Sequence, residues 1–297
     1  MSTAIQSTSP SSAVLITGCS SGIGRATALR LAARPGLVVY ASARRRESIA
    51  DLASAGCRLL SLDVTDEASM AAAVRAIEAE HGAVGALVNN AGYSQSGAVE
   101  AVPLERARAQ FETNVFGPVR LAQLALPGMR RARRGRIVNV SSMGGRLVFP
   151  GGGFYHATKY ALEAISDALR FEVRGFGVDV VVVEPGLIRT AFSEAALAAM
   201  DTSGGGAEGE GPYAAFHEAV ARATKEVYEK GPLARLGGGP EDVAKVIERA
   251  LSARRPKTRY TVTPSAKLLL AQRALLSDRA WDAMLRASFP TPGEARA

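Results

Sequence analysis

Short apolar runs alternate with longer amphipathic segments from residue 13 to about residue 184. Several runs are near-continuous stretches of Val, Leu and Ile, the pattern expected of parallel strands that are buried on both faces. The predicted strands are AVLITG (13–18), LVVYAS (37–42), RLLSLD (58–63), GALVNN (85–90), GRIVNVSS (135–142) and VDVVVVEP (178–185). The predicted helices between them are 23–34, 47–55, 66–80, 104–131 and 155–174.

This alternation of strands and helices predicts an α/β fold. Right-handed crossovers between parallel strands give a doubly wound, Rossmann-type sheet flanked by helices. We predict a disordered tail over residues 1–12, one Rossmann-type catalytic domain over 13–264, and a C-terminal helical extension over 265–297.

After residue 186 the alternation stops. DTSGGGAEGEG (201–211) is too rich in glycine to pack, and the segment 187–230 is predicted to be a substrate lid, because long irregular segments in compact domains are usually functional or disordered. Later segments predict a helix at about 212–230, a helix that starts at Pro240, a last strand at 258–263, and an amphipathic helix at 265–285.

Composition narrows the class of protein. The chain has 297 residues, 47% of them hydrophobic, yet no apolar run is long enough to span a membrane, and the first residues do not resemble a signal peptide. Two cysteines suit a reducing compartment, so a cytoplasmic location is predicted. Three scattered histidines and no Cys/His cluster predict no metal site.

The formal net charge of +8 raises the question of a nucleic-acid partner. Most of the excess lies in two arginine runs, ARRRE (43–47) and MRRARRGR (129–136), with no aromatic residues interleaved. Solvated loops and helix ends explain these runs better than a nucleic-acid interface, so no nucleic-acid partner is predicted.

The segment TGCSSGIG (17–24) joins the first strand to the first helix. Gly18 permits the turn, Gly22 lets the backbone approach a pyrophosphate, and Gly24 lets the helix pack on the sheet. The helix N-terminus then offers free N–H groups to phosphates. We predict a dinucleotide site that also includes Ser20, Ser21 and Ile23; a glycine-rich turn without a ligand is the alternative.

The end of the second strand, YASARRR, bears on the type of dinucleotide. An NAD site favours an acid there for the ribose 2′-hydroxyl, whereas an arginine suits a 2′-phosphate. Ser42 stands where the acid is expected, and Arg44 offers a bidentate guanidinium. We therefore predict NADP(H) rather than NAD(H); the alternative is that the arginines only face solvent.

Tyr155 and Lys159 are four residues apart in the helical pattern FYHATKYALEAI, so they lie on one helix face. A neighbouring ammonium favours the phenolate and is predicted to bring the pKa of Tyr155 towards neutrality. The pair is predicted to act as a tuned acid and base, and an ordinary helix surface is the alternative.

These motifs, taken in order, resemble the short-chain dehydrogenase/reductase family. The resemblance covers roughly residues 13 to 262 and rests on TGCSSGIG, DV (63–64), NNAG (89–92), Asn114, SS (141–142), YHATK (155–159) and PGLIRT (185–190). Ser21 departs from the basic residue that some NADP-dependent relatives carry before the second glycine, which places the NADP prediction mainly on Arg44.

The resemblance implies roles for further residues. Asp63 and Val64 would flank the adenine. The remaining implied cofactor contacts, at the mouth of the fourth strand, at the nicotinamide and at its ribose, are Asn90, Ala91, Gly92, Pro185, Gly186, Ile188, Thr190, Tyr155 and Lys159.

The resemblance also implies a catalytic set of Asn114, Ser142, Tyr155 and Lys159. The family's serine precedes the tyrosine by 13 residues, which selects Ser142 over Ser141. Asn114 would open a hydrogen bond within the helix 104–131 and hold a water molecule next to Lys159. His156 is expected to pack or lie at the surface, His217 to lie at the surface, and Cys19 to fill space.

The substrate side is predicted to be apolar. The residues expected to face the nicotinamide are Met143, Leu147, Phe149, Phe154, Leu187 and Phe192. Such a pocket suits a bulky apolar alcohol or ketone. The local sequence is similar to that of the subgroup of 17-beta-hydroxysteroid and retinol dehydrogenases. About half of these residues being plain core is the alternative.

The predicted function is an NADP-dependent oxidoreductase of steroid-, retinoid- or lipid-like substrates. The alternative is a catalytically silent, dinucleotide-sensing regulator on the same fold. By the resemblance, helices 104–131 and 155–174 would pair two subunits, so a homodimer or homotetramer is expected. A further alternative is that the C-terminal helix contacts an anionic membrane surface.

Overall fold

The computed structural model describes residues 11–190, 211–229 and 231–293. Within this part of the chain, seven parallel strands form one sheet with the order β3-β2-β1-β4-β5-β6-β7. The strands are β1 (Ala13–Ile16), β2 (Val38–Ala43), β3 (Arg58–Ser61), β4 (Ala86–Asn89), β5 (Gly135–Val140), β6 (Val178–Glu184) and β7 (Arg259–Thr261). The predicted doubly wound α/β fold is confirmed.

The described helices cover the two faces of this sheet and its carboxyl edge. They are α1 (Gly22–Ala32), α2 (Glu67–His81), α3 (Leu104–Phe111), α4 (Gly117–Arg131), α5 (Gly153–Val173), α6 (Ala214–Glu229), α7 (Gly231–Arg235), α8 (Pro240–Ser252), α9 (Pro264–Leu275) and α10 (Asp278–Arg286). Short 3₁₀ helices lie at Arg46–Ala53, Met143–Gly145 and Arg174–Phe176.

Two apolar layers hold the sheet between helices. On one face α1 and α8 bury residues such as Leu31 and Ile247 against β1, β2 and β6. On the other face α2, α4 and α5 bury residues such as Ile77, Leu121 and Val173. The near-continuous apolar strands follow from this arrangement, because each strand needs apolar side chains on both faces.

The predicted helix 104–131 is interrupted. A π-helical turn at Glu112–Phe116 separates α3 from α4. Such a turn inserts an extra residue into the helical hydrogen-bonding pattern and frequently marks a functional site. Asn114 lies at its centre, in agreement with the expectation that this residue disturbs the helix.

The predicted helix 265–285 is two helices. Leu276 leaves the helical conformation, and Ser277 caps α10 by accepting a hydrogen bond from the Ala280 N–H at 3.4 Å. Trp281 of α10 is buried with Leu269 of α9, Met143 and Leu187. The C-terminal helices therefore pack against the carboxyl edge of the sheet.

Two residues assigned to the predicted N-terminal tail belong to the ordered domain. The Ser11 hydroxyl donates to the Ala83 carbonyl at 2.6 Å, and the Ser12 carbonyl accepts from the Val38 N–H at 3.1 Å. Residues 1–10 lie outside the described part. In the described residues, no helix has the length and apolarity that crossing a membrane requires.

Because all seven strands run parallel, the segments that follow them meet at one edge of the sheet. These segments include 17–24 after β1, 90–96 after β4, 141–152 after β5 and 185–190 after β6. The sheet order reverses between β1 and β4, and the crevice beyond the carboxyl ends at such a switch point is where open α/β sheets bind ligands.

Candidate active site

A cavity of about 1680 Å³ occupies this crevice. One half of it is bordered by the glycine loop and the strand ends, and the other half by α6, α9 and α10. We call them the strand-end half and the helical half. Tyr155 and Lys159 line the cavity together with residues of both halves.

In the glycine loop (residues 17–24), the backbone lies very close to neighbouring backbone segments. Gly18 has φ +73°, and a Cβ on it would lie 2.9 Å from the Ala91 Cα. A Cβ on Gly24 would lie 2.3 Å from the Gly18 carbonyl oxygen. Gly18 and Gly22 line the cavity, while Gly24 lies behind them and lets α1 begin against the loop.

Side chains from β1 and β4 fix this loop. The Thr17 hydroxyl accepts from the N–H groups of Asn90 and Ala91 at 3.0 Å each. In return the Asn90 side-chain amide donates to the carbonyls of Thr17 and Gly18, at 2.9 Å and 3.2 Å. Thr17 belongs to the motif TGCSSGIG, but the motif alone does not indicate this role.

The end of β2 differs from the prediction by one residue. The Ser42 side chain is fully buried and donates to the Ile16 carbonyl at 2.8 Å, and it does not line the cavity. Side chains alternate between the faces of a strand, so Ala43 borders the cavity instead, and Arg44 borders it from just beyond the end of β2. Arg44 is exposed, and no described residue forms an ion pair with it.

The other predicted cofactor residues lie along the same strand-end half. Those that line it are Ser20, Ser21, Ile23, Asp63, Val64, Asn90, Ala91, Gly92, Pro185, Gly186, Ile188 and Thr190. Gly186 is required by packing as well, since a Cβ there would lie 2.2 Å from the Thr263 hydroxyl oxygen.

Ser142 and Tyr155 meet at the centre of the cavity. Ser142 follows β5 directly, and its hydroxyl accepts the Gly144 N–H at 3.0 Å. The same hydroxyl forms a hydrogen bond with the Tyr155 phenol. The neighbouring Ser141 faces Glu163 instead. The structure thus brings together the serine and tyrosine selected from the sequence.

Lys159 is buried, with 6% of its side chain exposed. Its ammonium donates to the Val140 carbonyl at 2.9 Å and lies 5.8 Å from the centre of the Tyr155 ring. Helical spacing places the two side chains next to each other, as predicted. The interpretation of the pair as an ordinary helix surface is wrong.

The acidity of the pair differs from the prediction. Burial raises the pKa of Tyr155 well above its usual value; the Ser142 hydrogen bond opposes this rise, and Tyr228 adds to it. Burial lowers the pKa of Lys159 to about 8, with the charge of Glu163 opposing the change. For each group, the cost of desolvating the charged form therefore exceeds the stabilisation that its neighbours provide.

Asn114 lies behind the cavity wall. Its amide donates to the Tyr93 carbonyl at 2.8 Å and to the Thr158 hydroxyl at 3.1 Å, and its carbonyl accepts from the Tyr93 N–H at 3.1 Å. A Cβ on Gly92 would lie 3.0 Å from Asn114 Oδ1 and 3.8 Å from Lys159 Nζ. Asn114 and Lys159 thus flank the same glycine.

The predicted substrate residues divide into four groups. Met143, Phe149 and Leu187 line the cavity, and Leu147 is fully buried in the cluster beneath it. Phe154 does not line the cavity, because it is about 100° around α5 from Tyr155. Phe192 lies outside the described residues, as do residues 191–210 and 230 of the predicted lid.

Most of the helical half was not predicted. Its walls include Val220, Thr224, Val227, Tyr228, Leu233, Leu268, Leu269, Gln272, Met284, Leu285 and Phe289. The amphipathic pattern of these segments indicated helices, but no local signal showed that their apolar faces meet above Tyr155.

The histidines and Cys19 test three smaller expectations. His156 packs as expected, since its ring bonds the Gly144 carbonyl and the Phe149 N–H, at 3.0 Å and 3.2 Å. His217 is not a surface residue: it is buried, and its Nε2 accepts the Ala98 N–H at 3.0 Å. Cys19 is fully buried, as expected of a space-filling residue.

The strand-end half suits a nicotinamide dinucleotide. Its glycines leave open the space that side chains would fill, and the N-cap residue of α1, Ser21, makes no side-chain capping bond to the first turn. The N–H groups of that turn can therefore bind phosphate. By contrast, the described residues hold no group of His, Cys, Asp or Glu that could bind a metal ion.

A family model described as short chain dehydrogenase matches residues 12–201. A 3-ketodihydrosphingosine reductase of Bacteroides thetaiotaomicron is 42% identical over 182 residues, which are 61% of this chain and 65% of that protein. Retinol dehydrogenase 5 of Homo sapiens is 37% identical over 294 residues, 95% of this chain and 90% of that one.

An NADPH-dependent 3-dehydrocapnine reductase of Ornithobacterium rhinotracheale is 35% identical over 279 residues, 90% of this chain and 94% of that protein. Among solved structures, a short-chain dehydrogenase from Streptomyces avermitilis is 36% identical, with a TM-score of 0.74. That match covers 93% of this chain and 94% of the other.

Proposed function

The chain belongs to the short-chain dehydrogenase family, and we propose that it is an NADP-dependent member acting on a bulky, lipid-like carbonyl or alcohol. Family membership and the named relatives make it an NAD(P)-dependent oxidoreductase of CH–OH and C=O groups. One observation carries the proposal: the Tyr155 phenol bonds Ser142 beside buried Lys159, in the cavity that the glycine loop borders.

The preference for NADP is supported by the end of β2. Arg44 borders the cavity, and no described acid neutralises it. The residue before it is small Ala43, so nothing there would repel a 2′-phosphate. A guanidinium can bind that phosphate through two parallel hydrogen bonds. One relative is named as NADPH-dependent, which is consistent with this assignment.

Tyr155 is proposed as the proton donor in carbonyl reduction. When bound, the dinucleotide supplies or accepts the hydride. Burial keeps the Tyr155 phenol protonated at neutral pH, which is the state that a donor to a carbonyl oxygen requires. Ser142 holds that phenol and offers a second hydroxyl at the same oxygen, where negative charge develops.

Lys159 is proposed to stabilise the phenolate that remains after the proton leaves. Its ammonium lies 5.8 Å from the ring centre and is fixed by the Val140 carbonyl. A unit charge at about 6 Å contributes on the order of 2–3 kcal/mol at an effective dielectric constant near 20. Asn114 is proposed to support this end of the site through its hydrogen bonds to Tyr93 and Thr158.

An apolar substrate is supported by the helical half of the cavity. Its walls are mainly aliphatic and aromatic; among the described residues that line it, Glu226 carries a charge and no lysine or arginine is present. A pocket of this kind binds through buried apolar area with few polar contacts. Two relatives are named for retinol and for 3-ketodihydrosphingosine, which are lipids.

A homodimer or homotetramer that pairs α4 and α5 is part of the proposal. Phe116 at the start of α4 and Phe171 near the end of α5 are large apolar side chains that are 53% and 86% exposed. These side chains support the pairing of the two helices that the family resemblance implies.

The test of the chemistry compares wild type with Tyr155→Phe. Both are assayed with NADPH and NADH on retinal, a long-chain 3-ketone and a steroid ketone. Loss of the proton donor is expected to lower kcat/KM by roughly 10²–10⁴-fold. Tyr160→Phe is the matched control, because Tyr160 lies on the same helix, 42% exposed. Tight dinucleotide binding without turnover of any carbonyl would favour the silent sensor.

The test of cofactor preference is Arg44→Ala. Removing a charge-assisted pair of hydrogen bonds is expected to raise KM for NADPH by roughly 10–100-fold while KM for NADH changes little. Arg45→Ala is the control, since Arg45 is also exposed but does not line the cavity. An equal change for both dinucleotides would contradict the NADP assignment.

A further inference from the structure

Four polar residues follow one another along a single face of α5. Tyr155, Lys159, Glu163 and Asp167 are each four positions apart, so the stripe begins at the proposed proton donor and continues past Lys159. Glu163 is as deeply buried as Lys159, with 5% exposed. A buried carboxylate one helical turn from a buried ammonium is costly to maintain unless it has partners.

Arg259 of β7 is the partner that holds Glu163. Its Nε lies 2.9 Å from Glu163 Oε2, and its Nη2 lies 2.6 Å from Asp167 Oδ2. The same guanidinium is 3.5 Å from Glu184 at the end of β6, which also accepts the Thr261 hydroxyl at 2.7 Å. These contacts fix the Glu163 carboxylate beneath the active site.

The charges of this cluster balance when all of them are ionised. Lys159, Arg259 and Arg146 supply three positive charges, and Glu163, Glu184 and Asp167 supply three negative charges; of these, Lys159, Glu163 and Glu184 are buried. Lys159 has no carboxylate within 4 Å among the described residues, and its ammonium bonds a neutral carbonyl. The charge of Glu163 therefore reaches Lys159 through the low-dielectric interior rather than by direct contact.

We propose that Glu163 is a positioning residue whose carboxylate, held by Arg259, keeps Lys159 protonated beside Tyr155. The catalytic role of Glu163 in this inference rests on the proposed function. The effect of Glu163 on the charge of Lys159 is a property of the folded chain alone. Glu163 would thus extend the site by one helical turn behind the residues that line the cavity.

The surroundings of the pair support this assignment. Burial lowers the pKa of Lys159 to about 8, and Glu163 is the group that opposes this change. Without that charge, burial lowers the pKa of Lys159 further. Burial raises the pKa of Glu163 itself, an effect that Ser141 and Arg259 oppose and Glu184 reinforces.

The charged and titratable neighbours of Lys159 and Glu163 lie on α5, β6 and β7 and in the loop after β5. Tyr155 and Asp167 lie on α5 with the pair, Glu184 lies on β6, and Arg259 on β7. Arg146 approaches Glu184 at 3.5 Å from the loop after β5 and is half exposed. Ser141 and Ser142 are the hydroxyls on the β5 side.

The first test measures Lys159 directly in the free protein. Six lysines in the chain allow the ε-carbons to be followed by NMR after ¹³C-lysine labelling, with Lys159→Arg to assign the signal. Glu163→Gln keeps the shape and removes the charge, so the titration midpoint of Lys159 is expected to fall by about one pH unit or more. Asp167→Asn is the matched control, because it removes an Arg259 partner one turn farther away and should leave that midpoint in place.

The second test follows activity against pH. In carbonyl reduction, the alkaline limb of kcat/KM is expected to move to lower pH in Glu163→Gln by the same amount as the NMR midpoint, and not in Asp167→Asn. A purely structural role would lower thermal stability in both variants without moving the limb. An unchanged Lys159 midpoint in folded Glu163→Gln, or an equal shift in Asp167→Asn, overturns the proposal.

The proposal can still be tested if Glu163→Gln does not fold, or if the wild type reduces no carbonyl. If Glu163→Gln does not fold, Glu163→Asp replaces it; the retracted carboxylate should produce a smaller downward shift, and no shift would contradict the proposal. If no carbonyl is reduced by the wild type, the proposed function fails, while the NMR titration still decides whether Glu163 controls the charge of Lys159.

Discussion

The two halves of the cavity are built in different ways. The strand-end half is formed by short segments that follow β1, β2, β3, β4, β5 and β6 directly, and backbone atoms there approach within a few ångströms. The helical half is formed by the apolar faces of α6, α9 and α10, which come from the last third of the chain. Tyr155 stands where the two meet.

The two halves are therefore constrained differently: the strand-end half by backbone geometry, and the helical half by its apolar composition. In the strand-end half, a single added methyl group meets backbone that cannot move. In the helical half, side chains such as Met284 and Leu285 form a wall that can repack, and apolar cores tolerate substitution when volume is kept. We therefore expect cofactor binding to be sensitive to small changes and substrate range to be adjustable.

The largest expected effect tests the rigid half. Gly24→Ala places a Cβ 2.3 Å from the Gly18 carbonyl oxygen, so α1 or the loop must shift. We expect a loss of roughly 1–3 kcal/mol in unfolding free energy, together with weaker dinucleotide binding. Urea denaturation and dinucleotide titration measure the two effects.

Gly175→Ala is the matched control for that variant. Gly175 has no atom within 4 Å of its Cβ position and does not border the cavity. Equal losses in the two variants would show that the glycine loop is no more constrained than an open turn, and the contrast between the two halves would not hold.

The second effect concerns how the helical half is attached. His217 of α6 accepts the Ala98 N–H through Nε2, and its ring stacks on Tyr213, whose hydroxyl donates to Glu100 at 2.5 Å. Burial lowers the pKa of His217. The unfolded chain then binds the proton more readily, so stability is complete above the unfolded pKa of about 6.5 and is lost as pH falls below it.

The slope that His217 contributes can reach at most about 1.4 kcal/mol per pH unit, the limit for one proton. His156, whose pKa burial also lowers, acts in the same direction. His217→Gln retains an acceptor for Ala98 and should flatten the fall of unfolding free energy between pH 6.5 and pH 5, measured by urea denaturation. An unchanged slope would mean that this hydrogen bond does not couple α6 to protonation.

The smallest expected effect lies at the junction of the halves. Tyr228 of α6 lines the cavity close enough to Tyr155 to disfavour ionisation of the Tyr155 phenol. Tyr228→Phe removes one hydrogen-bonding group, so kcat/KM for the carbonyl should fall by roughly 3–10-fold with dinucleotide affinity unchanged. Tyr213→Phe is the control, because that hydroxyl bonds Glu100. A change in dinucleotide affinity in Tyr228→Phe would contradict the separation of the halves.

Local patterns were sufficient for much of the fold and for the chemistry at its centre. The spacing of apolar residues predicted all seven described strands, and the four-residue interval placed Tyr155 next to Lys159. Gly18 and Gly24 were selected from one short motif. In each case the relevant contacts lie within a few residues, or follow from the shared edge of a parallel sheet.

Other features depended on contacts between distant parts of the chain. Ser42 faces β1 rather than the cavity, because the positions of the neighbouring strands determine which side chains of β2 reach the cavity. His217 is buried because α6 packs on the loop around Ala98, 119 residues away in sequence. The packing of α6, α9 and α10 over Tyr155 also depends on contacts between distant parts of the chain.

The sequence by itself determined which groups are adjacent along a strand or a helix turn: the glycines of the loop, the tyrosine, the lysine and the acids that follow. Only the tertiary structure decided how deeply those groups are buried, and burial reversed the predicted shift in the acidity of Tyr155. The physical reason is that adjacency follows from local geometry, whereas the cost of a charge depends on all the chain segments that exclude water from it.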